Sequence, residues 1–464
     1  MSDIFNNKEH NYASANSNDS DDSTWVAGAI EIQLREGLQP EVGLASNGVM
    51  CEFTAAVETA ADTLPSPLSA LNEVLLKHDC QEAIAVFDTT VEDMAETQAM
   101  ALEQDMEVPD LSGFYTLHFP PERDVWSIAE ELREVPEVLH ANPLPKIKPA
   151  GAGPLSDLNE LLGLNDQMTD KQWYIFRCRI DRAWALGYTG KGVVVADIDW
   201  GFLTTHPDLA PHLNLEMAYN SEDGTDQVSQ GGALKHGTGV LGLVGAAANA
   251  GGMVGIAHGA ELWPIQVNTT SDLVVRARPW ARAIYWVTLA PSGDKRKVMI
   301  IEGQTSKGRN ITQIHSVRAA IQHAIARGIV VCVPAGNGNH QVELDDADRC
   351  FTPVGIIVGA TTFDDKPFEV TNFGASVVVS APGDELFDLT CNDDLNDLYR
   401  FDFGATSGAT AKVAGVVALI LEANPRLTHA DIKEILSTTG TRITSKELGN
   451  LLDCEEAVRA ALSL

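Results

Sequence analysis

The sequence is short of basic residues. It carries 32 Lys and Arg against 65 Asp and Glu, for a net charge of −33 and a pI near 4.6. Nucleic acid and anionic membrane surfaces are bound through basic patches, so neither is expected as a main partner. Paired cysteines are missing too. The seven, at 51, 80, 178, 332, 350, 391 and 454, are scattered and odd in number, and no two form a CxxC pair. Buried thiols in a reducing compartment are the expectation. The N-terminus MSDIFNNKEHNYASANSNDSDDS has no basic segment and no apolar segment, so no Sec signal is read there. No apolar run approaches the roughly 20 residues of a membrane span. A cytoplasmic location is expected, with a Sec-independent export route left open.

What is present is ordinary globular composition over 464 residues, 44% hydrophobic and 21% charged. The acid is unevenly spread. Residues 1–150 hold 28 acids against 7 bases, and the remainder 37 against 25. Residues 1–23, rich in Asn, Ser and Asp, are expected to be a disordered tail. Residues 24–146 read as a small α+β domain, with a strand at GFYTLHFPP and a helix then a strand in ERDVWSIAEELREVPEVLHANPLP. Residues 147–170, opening on Pro, Gly and Ala, read as an exposed linker. From 171 to 464, short apolar strands (GKGVVVADIDWG, KVMIIEG, IVVCVPAGN, GIIVGATT, SVVVSAPG) alternate with helices. That alternation predicts an α/β fold: a mainly parallel sheet flanked by helices.

In such a sheet, chemistry collects at the carboxyl ends of strands. Asp199 ends VVVADIDWG, and His236 opens HGTGVLGLVGA. Asn337 follows the strand in IVVCVPAGN, and Ser407 sits at the start of the helical ATSGATAKVAGVVAL. An amide-hydrolysing serine needs a base, a carboxylate that orients the base, and donors for the developing oxyanion. These four residues could supply all of them. Ser407 could otherwise be a simple N-cap, since small residues around a serine before a helix are capping chemistry.

DWGFLTTHPDL, HGTGVLG, PAGN and ATSGATAKVAG stand in the order Asp, His, Asn, Ser. In that order they resemble the blocks of the subtilisin-like serine proteases (subtilases, peptidase family S8) over residues 171–464. The resemblance implies a subtilisin-like fold and a serine endopeptidase acting on polypeptides through an acyl-enzyme. It makes Ser407 the nucleophile, His236 the base, Asp199 its orienting carboxylate and Asn337 an oxyanion-hole donor. It places Glu302 and Gly303 along the substrate-binding strand, where Glu302 could favour a basic residue before the cut. The chemistry would need no cofactor, and a structural calcium ion is compatible with the family. Residues 24–146 resemble a subtilase prodomain, which implies an intramolecular inhibitor and processing between about Lys148 and Lys171. An inactive subtilase-fold binding or regulatory protein is the alternative.

Several positions depart from the family pattern. Gly408 and Ala411 stand where Met and Pro are usual, Gly239 replaces the second histidine of its block, and Ala405 replaces a glycine. Asp197 stands where an apolar residue is usual. In a strand it shares a face with Asp199, so one of the two carboxyls should be pushed up, and Asp197 could compete for the orienting role. His206, His258, His315 and His323 read as structural histidines. The acidic stretches DDLNDLYRFD and VELDDADRC read as solvated turns.

Overall fold

The computed structural model describes residues 25–35, 40–44, 51–55, 68–145 apart from 88, 90, 105 and 107, then 147–149, 168, 171–228, 236–249, 252–267, 276–385 and 388–464. The expected tail at 1–23 lies outside these.

A nine-stranded sheet carries the C-terminal two thirds. Its order from one edge is Thr441–Arg442, Asn450–Leu451, Val377–Pro382, Ile356–Thr361, Val330–Pro334, Arg296–Ile301, Val193–Asp199, Glu261–Gln266 and Tyr219–Asn220. Only the outermost pair is antiparallel. The strands are buried on both faces, which is why they read as unbroken runs such as VVVADID. Within this sheet the chain starts at Val193–Asp199, crosses to Tyr219–Asn220 and Glu261–Gln266 on one side, then returns to Arg296–Ile301 on the other. These reversed crossovers leave a crevice at the carboxyl ends of Val193–Asp199 and Arg296–Ile301, the usual place for a site in such a sheet.

One face of the sheet is covered by His236–Gly245 and Ala405–Ala423. Every residue of the first helix is buried, as its nearly all-apolar surface requires. The second has 19 residues and is apolar enough to cross a bilayer, but 17 of them are buried in the core. Ala277–Leu289 and His315–Ala326 cover the other face.

The N-terminal unit is an antiparallel sheet of Glu82–Ala85, Phe114–His118, Trp25–Leu34 and Val138–Pro145. Helix Val125–Arg133 packs on it through Ile128, Ala129 and Leu132, and starts where the Asp124 side chain accepts from Trp126 N–H at 3.1 Å. The unit docks on the helices of the second face. Phe87, Met94 and Phe114 join the core formed by Ala277–Leu289 and His315–Ala326. Glu31 accepts from the Ser316 backbone N–H at 2.9 Å and from its hydroxyl, so it caps helix His315–Ala326. Gln33 bonds His315 at 2.8 Å, and the Pro109 carbonyl bonds His323 at 2.6 Å. These two histidines, read from sequence as merely structural, sit in the docking interface. The expected linker also begins differently. Ile147–Pro149 is a strand, paired antiparallel with Gly303–Thr305, so chain that reads as irregular becomes ordered by the free edge it meets. Residues 150–167, 169 and 170 of that stretch lie outside the described residues.

Candidate active site

Asp199 is the last residue of its strand and is fully buried. Its Oδ2 lies 2.7 Å from His236 Nδ1, and its Oδ1 accepts from Trp200 N–H at 2.6 Å. His236 is the first residue of its helix and is also buried. The carboxylate fixes the ring with Nδ1 as donor and leaves Nε2 as the proton acceptor. Asp197 does not reach the imidazole. Both its oxygens are buried without a partner, and burial, followed by the neighbouring Asp199 and Glu302 carboxyl groups, holds its carboxyl well above the usual range. Of the two carboxylates, then, Asp199 meets the histidine.

Ser407 is not an N-cap. Gly404 holds that position, and Ser407 lies in the first turn of helix Ala405–Ala423, fully buried. Asn337 is tied beside it. Its Oδ1 accepts from Thr406 N–H at 3.2 Å and from Thr406 Oγ at 2.8 Å, and its own N–H donates to Gln304 Oε1 at 2.6 Å. Because the backbone N–H can only donate, the Asn337 oxygen must face Thr406, and the NH₂ is left to donate elsewhere. Gly336 precedes it at φ 103°, where a Cβ would stand 2.5 Å from the Gly308 carbonyl. Ser407 Oγ and His236 Nε2 are both buried with no partner among the described residues. No hydrogen bond joins the two in this structure.

The departure at Gly239 has a physical reason, and the one at Ala405 has a cost. A Cβ at Gly239 would sit 2.7 Å from the Phe403 ring, whose centroid lies 4.9 Å from that of His236. Phe403 thus occupies the space a histidine at 239 would need. Ala405 adopts φ 48°, a left-handed conformation that costs a non-glycine residue on the order of 1–2 kcal/mol. Lys412 is fully buried one turn beyond Ser407, bonded to Asp388 at 2.7 Å and to the Pro382 carbonyl at 2.9 Å.

Glu302 follows strand Arg296–Ile301, and its N–H donates to the Ile198 carbonyl at 3.1 Å. It does not line an open pocket. It is 0% exposed, beside Asp199 and Ser407. Gly303 lies opposite Pro149 in the pairing with Ile147–Pro149. Sequence reasoning reached Glu302 only through its strand, and nothing local signalled its closeness to a serine 105 residues on.

Elsewhere among the described residues, His206, Asp208 and Cys391 bring three ligand-type atoms within 4.8 Å of one another. The His206 and Asp208 atoms are already engaged. His206 bonds the Leu398 carbonyl and the Asp208 N–H, and Asp208 accepts from Tyr399, Asn249 and Met253. The stretch at 393–402 folds as a hairpin, in which Asp394 accepts from Asn396 and Asp402 pairs with Arg400.

A model of the subtilase family matches residues 190–452. An alkaline protease of Alkalihalobacillus alcalophilus is 26% identical over 413 residues, covering 88% of this chain and 95% of its own length. Subtilisin Savinase of Lederbergia lenta is 28% identical over 293 residues, covering 62% of this chain and 98% of its own. Among solved structures, fervidolysin of Fervidobacterium pennivorans, a keratinolytic enzyme related to subtilisin, superposes with a TM-score of 0.62 at 18% identity, over 94% of this chain and 62% of its own. The chain has the subtilisin-like fold and belongs to the subtilase family, whose members are serine endopeptidases that cut polypeptides without a cofactor.

Proposed function

We propose that Asp199, His236 and Ser407 form the hydrolytic triad, with Asn337 in the oxyanion hole, and that the N-terminal unit holds the enzyme latent. Ser407 Oγ attacks the scissile carbonyl and its proton passes to His236 Nε2. Asp199 holds Nδ1–H and offsets the charge of the imidazolium. The Asn337 NH₂ and the N-terminus of helix Ala405–Ala423 meet the negative oxygen. His236 then protonates the leaving amine, and water releases the acyl group from Ser407.

The observation that carries the triad reading is the 2.7 Å bond from His236 to Asp199 at the crevice that also holds Ser407. Latency is supported by the pairing of Ile147–Pro149 with Gly303–Thr305, next to Glu302. An extended segment added to that edge occupies the path a substrate would take. The unit is also anchored at a distance, where burial pushes the capping Glu31 up to about 7. The buried thiols of Cys178, Cys332, Cys391 and Cys454 support a reducing compartment as the working location.

The wild-type chain is expected to cut itself between about residues 148 and 171 and to react with a fluorophosphonate. Ser407→Ala is expected to do neither. Intact mass and probe labelling check this, and a folded wild-type chain that neither processes nor labels would count against the reading.

A further inference from the structure

Three buried carboxyls meet at the crevice, and the triad uses only one. Strand pairing sets Ile300 beside Asp197 and Ile301 beside Ile198, so Glu302 comes level with Asp199 on the same face. Both Glu302 oxygens are enclosed without a hydrogen bond of normal geometry. Ser407 Oγ, equally unpartnered, lies against this carboxyl group as a potential donor.

We propose that Glu302 is a further residue of the catalytic centre, whose carboxyl group must keep its proton for the Ser407 hydroxyl to turn to His236. This rests on the triad reading above. Once ionised, Glu302 becomes an acceptor for the Ser407 hydroxyl and competes directly with His236 Nε2. It also sets a second negative charge beside Asp199, where an oxyanion has to form. In the neutral state Ser407 gives its proton to His236, and Glu302 keeps its own.

The surroundings favour the neutral state. Asp199 and Asp197 face Glu302 from the neighbouring strand, and His236 is bound to the first of them. Cys332, on the strand at the other side, has its thiol pushed up by burial and by Glu302. The cation of the serine helix, Lys412, is turned to Asp388 and Pro382. Burial and the Asp199 charge therefore raise the Glu302 carboxyl well above its ordinary range, and only the Ser407 hydroxyl opposes them. Gly303–Thr305 is paired in this structure, so the burial is that of an occupied cleft. The effect belongs to the enzyme–substrate complex, which kcat reports.

The test is kcat against pH for the processed enzyme on a p-nitroanilide of the peptide spanning residues 146–150. In the wild type kcat should fall on the alkaline side, by about tenfold per pH unit beyond the midpoint. Glu302→Gln, which cannot ionise, should lose that decline, and Glu302→Asp should restore it with a shifted midpoint. A wild-type kcat that stays level to high pH would overturn the proposal, and this needs no variant to fold. So would a Glu302→Gln enzyme with the wild-type decline, or one that melts as the wild type does but is inactive at every pH. A folded wild type that shows neither turnover nor fluorophosphonate labelling instead removes the triad reading, and this proposal with it.

Discussion

The two halves of the proposed active centre are built differently. On the histidine side, His236 and Asp199 are joined at 2.7 Å, Asp199 is held by Trp200 N–H, and Phe403 packs against the ring. On the serine side, Ser407 Oγ and both Glu302 oxygens lack bonds, and the helix enters through a strained Ala405. His236 and Ser407 both lie in buried stretches of helix, so packing alone does not account for the contrast. Charge does. The histidine side pairs a carboxylate with a ring that can accept a proton, and its hydrogen bond favours both. The serine side gathers carboxyl groups with no cation bonded to them, and there neutrality is the cheaper state.

This contrast is open to test, and the largest effect is expected on the histidine side. Asp199→Asn should lower kcat by about 10⁴-fold, because the amide supports the wrong tautomer of His236. Asp197→Asn should leave turnover nearly intact, since Asp197, whose carboxyl burial holds well above its usual range, does not reach the imidazole. If Asp197→Asn is the dead enzyme, the assignment of the two carboxylates is reversed. Next is the donor on the serine side. Asn337→Ala should cost about 10²–10³-fold in kcat with little change in KM, measured on the same peptide anilide. The smallest effect is on the backbone. Ala405→Gly should stabilise the chain by roughly 1 kcal/mol, seen as a higher melting temperature, because glycine adopts φ 48° without the clash of a Cβ. No gain in stability there would mean that the strain is relieved elsewhere.

Much of this was legible in the sequence. The apolar runs ending at Asp199, Ile301 and Pro334 are strands, and the glycine-rich HGTG and small-residue ATSGATAKVAG stretches are buried helices. The strain at Ala405 could be anticipated, because an alanine replaces a glycine there. That residues 147–149 form a pairing strand could not. A strand that pairs only with a distant edge leaves no periodicity of its own, and Lys-Ile-Lys-Pro reads as linker. Nor could Lys412 be placed. A lysine inside an apolar helix signals little until Asp388 is seen to meet it.

By itself the sequence determined the order of the candidate residues and the elements that carry them, because both follow from local pattern: runs of Val and Ile, turn residues, and small residues where helices approach closely. Only the tertiary structure decided which carboxyl meets the histidine and which meets the serine. Asp197 and Asp199 share a strand face, and Glu302 sits one strand over, so their partners depend on distances of a few ångströms across the sheet. Burial at that point raises the Asp197 and Glu302 carboxyls above their ordinary range, and such a shift is a property of the surroundings and not of the residue type.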